Sequence, residues 1–328
     1  MKIRVVPMQP HVFLYGGFDM QMVRTIELLQ SVGVNAKPLN FWSQDDQFDI
    51  LHIWGLDRQH LLLSRTAKTY GKKIVMTPLL PYLSPLLYLR HWAGIIEGRK
   101  KVERDILKNI DLMLVVNDFQ AETAIKLYGF PESKIKIVPT ILDKVFFEQN
   151  SDRTPISEQK DYLICVGNIL PRKNQLEIAR AAIKSNSAVM FVGNELAGDE
   201  TYIREFDALV SASPLLSWHK DFSPSQVFRA MINSKGVVMP SFVEVQPTAA
   251  LEAVALGKPL MLADRPYAYQ EFYRGSLIID PSSTGAIAKG LLLLKKQPEL
   301  YTPKSYLVAD CNPKNAALRL KSIFEELY

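Results

Sequence analysis

The chain has 328 residues, 48% of them apolar and 22% charged, and a formal net charge of +5. This composition excludes a disordered or collagen-like chain and gives room for two globular domains of ordinary size. The mild positive charge fits phosphorylated ligands or an anionic surface without specifying nucleic acid, and no nucleic-acid partner is expected.

The N-terminus opens on a short apolar strand at residues 3–6 and lacks the hydrophobic core of a signal peptide. A loop with Gly16 and Gly17 follows. The spacing of Met22, Val23, Ile26 and Leu29 then predicts a helix over 20–32, stopped by Gly33. Residues 34–39 and 49–54 read as strands, 61–70 as a helix and 73–77 as a strand. The apolar window 79–96 is long enough to span a bilayer, but Pro81, Pro85, Arg90 and His91 interrupt it, so a membrane span is rejected. Residues 86–92 read as a core helix or, beside Arg99, Lys100 and Lys101, as a peripheral contact with anionic membrane. A strand at 111–117, a helix at 118–128 and a strand at 134–139 complete an alternation that predicts a parallel, doubly wound sheet.

Polar residues 148–160 mark the domain boundary, giving domains at 1–150 and 151–312 and an amphipathic last helix at 313–328. A strand at 161–166 leads into a turn with Gly167, Asn168, Arg172 and Lys173, then a helix at 176–183. The cysteines, Cys165 and Cys311, make no disulfide or metal pattern and read as reduced cytosolic thiols. Arg172 and Lys173 are either solvated charges or ligands of an anion. Because cations at a helix start oppose its dipole, the anion is the better account. A strand at 188–193 ends at Gly193 and Asn194, and residues 216–222 carry Trp218, His219 and Lys220 ahead of a helix at 224–233.

The most informative stretch comes next. A strand at 236–239 enters a loop with Glu244, Val245 and Gln246; Pro247 suits the first helical position, and residues 248–256 read as helix before a strand at 259–263. Glu244 and Glu252 thus frame a helix N-terminus at Thr248, where free N–H groups and the dipole favour a phosphate. A surface loop with a solvated Glu244 satisfies the same local pattern. Glu252, however, stands among Ala249, Ala250, Leu251, Ala253 and Val254, and so apolar a setting calls for hydrogen-bond donors such as ligand hydroxyls. A nucleotide diphosphate sugar meets both needs.

The spacing of Glu244 and Glu252, E-x7-E, followed by A-x-A-x-G-K-P over 253–259, resembles the C-terminal signature of retaining family 4 glycosyltransferases. The resemblance implies an α/β chain of GT-B fold: two Rossmann-like doubly wound domains facing across a cleft, the first for the acceptor and the second for the donor. It implies Glu244 on the donor sugar, Glu252 on the ribose, and Lys173 on the diphosphate. Asn168 stands where the family carries an Arg, with Arg172 as the nearby substitute. Gly16, Gly17, Gly167, Gly193, Asn194, Val245, Gln246, Pro247 and Thr248 are the implied donor-site lining, and Trp218, His219 and Lys220 the implied nucleobase contacts. The chain has Thr77–Pro78–Leu79 where the family tends to carry a His. The implied activity is cofactor-free, metal-independent, retaining transfer of a hexose-type sugar to a glycan or glycolipid acceptor. UDP-sugars are expected above GDP-sugars, in bacterial surface-glycan synthesis (lipopolysaccharide, O-antigen or capsule), in the cytoplasm or at the inner face of the cell membrane. The alternative is a non-catalytic nucleotide-sugar-binding partner of a transferase. An oxidoreductase is a poor reading, since no G-x-G-x-x-G follows a strand.

Overall fold

The computed structural model describes residues 1–11, 16–44, 47–80, 82, 97–147, 161–196 and 198–328, with backbone only at 97–100 and 305. The expected membrane-contact stretch at 86–92 and the linker at 148–160 lie outside these residues. The chain divides into two compact units, one of Met1–Ile141 with Asp310–Tyr328 and one of Leu142–Ala309.

In the first unit, strands β1 (Lys2–Val6), β2 (Asn35–Pro38), β3 (Ile50–Trp54), β4 (Lys73–Thr77), β5 (Leu112–Val115) and β6 (Ile135–Ile137) form a parallel sheet in the order β2-β1-β3-β4-β5-β6. Helices α1 (Gly17–Ser31), α2 (His60–Thr69), α3 (Glu97–Leu107), α4 (Asp118–Tyr128) and a final helix, Pro313–Leu327, cover it. Period-2 alternation sorts the strand residues between two cores. Ile50 and Trp54 of β3 join α1 and the final helix through Met22, Ile26, Leu29, Leu320 and Phe324, whereas Leu51 and Ile53 join Met76, Ile106 and Ala124 on the opposite face. Gly16 is the N-cap of α1 and Gly17 its first residue, so the helix starts three residues earlier than its apolar spacing predicts. Asp19, which accepts from the Gly16 N–H at 2.9 Å, adds that turn.

The second unit repeats the scheme with β7 (Leu163–Val166), β8 (Val189–Val192), β9 (Leu216–His219), β10 (Gly236–Met239), β11 (Leu260–Ala263) and β12 (Leu277–Ile279). All pair in parallel, in the order β12-β11-β10-β7-β8-β9. Helices α5 (Gln175–Lys184), α6 (Glu200–Ala212), α7 (Pro224–Ile232), α8 (Thr248–Ala255) and α9 (Thr284–Lys296) surround the sheet, which makes Pro313–Leu327 helix α10. The strand order reverses between β7 and β10, and such a switch point opens a crevice at the carboxyl ends of the two strands. Helix α6, strand β12 and helix α9 were not foreseen, although Ser283 caps α9 through the Ala286 N–H and Ile287, Leu291 and Leu294 give it a buried stripe. Among the described residues no helix is long and apolar enough to cross a membrane.

One buried titratable group stands out in the first unit. His52, on the central strand β3, is fully buried; its Nε2 shares a 2.8 Å hydrogen bond with the Thr77 hydroxyl, and its ring lies 5.5 Å from that of Phe324. Burial lowers its pKa from 6.5 to about 3. The folded chain therefore holds His52 neutral where the unfolded chain takes up a proton, so stability is lost as pH falls from 6.5 towards about 3. Near pH 5 the loss from this one group is about 2 kcal/mol. Urea unfolding of the wild type and His52→Gln at pH 7 and pH 5 checks this. The variant should lose less stability on acidification, and equal losses would refute the assignment.

Candidate functional site

The site is built where β7 and β10 leave the sheet. After β7 the chain turns at Gly167 (φ 146°), whose N–H donates to the Val192 carbonyl at 2.8 Å, and after β8 it turns at Gly193 (φ 152°). A Cβ at residue 193 would stand 2.2 Å from the Gly167 carbonyl oxygen, so only glycine lets the two turns nest. Pro171–Lys173 then forms a short 3-10 turn that ends at Asn174, a left-handed residue (φ 66°). The buried Asn174 amide donates to the carbonyls of Pro240 (3.1 Å) and Pro281 (2.8 Å). That side chain ties the basic turn to the end of β10. Gln175, equally buried, donates to the Asn168 carbonyl at 2.8 Å and closes the other side of the turn.

The tie sets the chemistry. The Phe242 N–H donates to the Arg172 carbonyl at 2.8 Å, and Arg172 Nη1 donates to the Val243 carbonyl at 3.4 Å. Glu244, the next residue, is ion-paired through Oε1 with Lys173 Nζ, and its Oε2 lies 3.7 Å from Arg172 Nη1. The Lys173 and Glu244 side chains are only 15% and 8% exposed, whereas Arg172 is half exposed. The Lys173 stem lies over Gly167, where a Cβ would be 3.7 Å from its Nζ. Beneath the pair, burial pushes the Cys165 thiol up to about 12, with Lys173 lowering and Glu244 raising it, so Cys165 is an inert thiol.

Two residues further along the chain hold the Glu244 turn. The buried Tyr267 hydroxyl lies 3.0 Å and 3.1 Å from the carbonyls of Met239 and Ser241, to which it donates, and it accepts a 3.4 Å bond from the Ala263 N–H. Gln270 Nε2 donates to the Val245 carbonyl at 2.8 Å, while its Oε1 accepts from Gln246 Nε2 at 3.2 Å. Pro247 is the extended N-cap of α8, not its first helical residue as expected, and no side chain caps the helix. Its carbonyl takes the N–H groups of both Ala250 and Leu251. Thr248 and Glu252 follow on α8, both half-buried.

At the end of β9, Trp218 donates its indole N–H to the Gly193 carbonyl at 2.8 Å and stands edge-on to Phe206. Lys220 Nζ lies 4.2 Å above the Trp218 ring and pairs with Glu195 at 3.2 Å. The His219 carbonyl accepts from the Gly193 N–H, and its ring lies 5.2 Å from Phe222. Asn194 and Asp221 exchange two hydrogen bonds of 2.9 Å. Gly167, Asn168, Arg172, Lys173, Gly193, Asn194, Trp218, His219, Lys220 and residues 244–252 thus belong to the second unit, and Gly16 and Gly17 to the first. Among the described residues no group of three His, Cys, Asp or Glu side chains could hold a metal ion. Asn174, Gln175, Tyr267 and Gln270 are the supports that sequence reasoning missed. Only Asn174 and Gln175 carried a signal, as polar residues adjoining the basic turn.

Residues 146–305 match the family model described as Glycosyl transferases group 1. No curated protein sequence matches the chain. Among solved structures, the fold is similar to Anabaena HepE, solved with UDP and glucose, at 12% identity and a TM-score of 0.75 over 99% of both chains. It is also similar to a sucrose-phosphate synthase of Thermosynechococcus elongatus, at 14% identity and 0.73 over 100% of this chain and 99% of that one. A UDP-forming trehalose-phosphate synthase of Burkholderia xenovorans gives 14% and 0.62 over 94% and 78%. The second unit is therefore similar to glycosyltransferase group 1 domains, and the two parallel sheets with their helices are of the GT-B fold class.

Replacing Tyr267 by Phe removes the one hydroxyl that serves Met239, Ser241 and Ala263. It should cost about 1–3 kcal/mol, the scale of leaving buried polar groups without a partner. Urea unfolding followed by tryptophan fluorescence measures this, and an unchanged midpoint would mean the hydroxyl is dispensable to the turn.

Proposed function

We propose that the chain is a retaining, metal-independent glycosyltransferase that moves a hexose-type sugar from a nucleotide diphosphate sugar to a hydroxyl of a glycan or glycolipid. The observation that carries this reading is the convergence of Lys173, Arg172 and Glu244 at the β7–β10 switch point, directly before the uncapped start of α8. Breaking the bond between the anomeric carbon and the diphosphate leaves negative charge on the leaving phosphate. The Lys173 ammonium, the Arg172 guanidinium and the first N–H groups of α8 are the groups to receive it. Those cations can supply the charge that a metal supplies elsewhere, hence the metal-independent reading. Glu244 orients the sugar through its hydroxyls, and Glu252 the ribose. With Cys165 inert and Glu244 engaged by the cations or by the sugar hydroxyls, the reading invokes no covalent nucleophile. The acceptor hydroxyl then attacks on the face the diphosphate leaves, and its proton passes to the departing phosphate oxygen.

UDP-sugars are the preferred donors in this reading, supported by the UDP held in the similar Anabaena fold. Synthesis of bacterial surface glycans is the setting that the family resemblance supports. Lys173→Ala should weaken UDP binding by roughly 1.5–3 kcal/mol, the scale of a hydrogen bond to a charged group. It should also slow UDP release from UDP-sugars. Isothermal titration with UDP and GDP, beside a turnover assay, tests both. Unchanged affinity removes Lys173 from the site, and tight binding with no turnover on any donor favours the non-catalytic partner.

The same reading extends to peripheral association with anionic membrane through the first unit. Its support is the exposed Lys101 and Arg104 on α3 and Lys108 just after it, together with Phe41 and the 96%-exposed Trp42 after β2. Flotation with vesicles should recover the protein with anionic lipid and leave it behind with neutral lipid. Absence from both vesicle fractions would sink the idea.

A further inference from the structure

We infer that Glu244 is an internal occupant of the diphosphate subsite, displaced from Lys173 and Arg172 by the donor's phosphates and then free to take the donor sugar's hydroxyls. The inference rests on the proposed function and adds a basis for choosing intact donor over spent nucleotide.

The argument starts from charge. Two cations face one carboxylate, and the closer pair is largely withdrawn from water. A diphosphate seated on the same cations would meet the Glu244 carboxylate in a site of low effective dielectric, where like charges repel strongly. Something must move. The main chain that carries the cations is held: the Arg172 carbonyl is engaged by Phe242, and Asn174 anchors the end of their turn on both Pro240 and Pro281. The main chain on either side of Glu244 is held too, at Ser241 by Tyr267 and at Val245 by Gln270. With the main chain fixed on both sides, the exchange falls to side chains. The Glu244 carboxylate is repelled by the arriving phosphate while the cations are attracted to it, so the carboxylate is the group that swings. Phosphate offers more acceptors and more charge than a carboxylate, so it wins the exchange.

The displaced carboxylate then needs donors, because a buried charge without a partner is costly. The hydroxyls of a sugar attached to the diphosphate supply them, and a free nucleoside diphosphate does not. One side chain thus opposes the product and welcomes the donor.

The test is titration of UDP and UDP-glucose into the wild type, Glu244→Gln and Glu244→Asp, and into Lys173→Gln with and without Glu244→Gln, with GDP and GDP-mannose in parallel. Removing the charge should tighten UDP binding on the order of tenfold, equivalent to ~1.4 kcal/mol, and shrink the preference for donor over UDP. The shorter Asp should lie between, and supplies the answer if the Gln variant folds poorly. In the Lys173→Gln background, removal of the Glu244 charge should change UDP affinity little. UDP binding by the wild type that neither single Glu244 variant tightens overturns the inference alone. Absence of binding by any nucleoside diphosphate or its sugar overturns the functional reading and this inference with it.

Discussion

The ion pair of Lys173 with Glu244 is the contact on which the site's geometry turns. Taking both charges out of water is costly, and their attraction offsets that cost only where geometry is good and further groups help. Arg172 helps here, at 3.7 Å from the second carboxylate oxygen. In a protein selected for stability alone, such a pair would be a poor bargain against apolar packing. Its presence at the carboxyl ends of two buried strands is what the proposed diphosphate site rests on.

Holding the pair together requires backbone arrangements with little tolerance. Gly193 has no room for a side chain against Gly167, Asn174 adopts a left-handed conformation, and its amide spans two carbonyls from different loops. Tyr267 and Gln270 serve the opposite wall in the same way. Asn174, Tyr267 and Gln270 each bond main-chain carbonyls of the turns, so the loops are fixed by polar contacts as well as by packing. The main chain around the pair is thereby fixed from both sides.

The first unit is organised by a different constraint. Its central strand β3 is buried along its whole length, so every residue must serve one face or the other. His52 accordingly faces the Thr77 hydroxyl, and α10 covers the same face through Phe324. That arrangement keeps an imidazole neutral at the expense of acid stability.

Much of this was legible in the chain itself. Strands and helices alternate because apolar residues recur with period 2 or 3.6, and α1, α4, β4 and β10 declare themselves by local spacing alone. The candidate loop was legible for the same reason: Glu244 and Glu252 bracket a helix start, and Arg172 and Lys173 crowd another. What tertiary structure alone decided is which residues meet. Lys173 reaches Glu244 because β7 and β10 are neighbours, a strand order that no local pattern encodes. Trp218, expected at a nucleobase, spends its N–H on Gly193, since a strand's pairing partner fixes where its last side chains point. The sequence determines short-range periodicity and the kinds of chemistry on offer. Long-range pairing, set by burial of two whole sheet faces at once, decides which of those groups become a site.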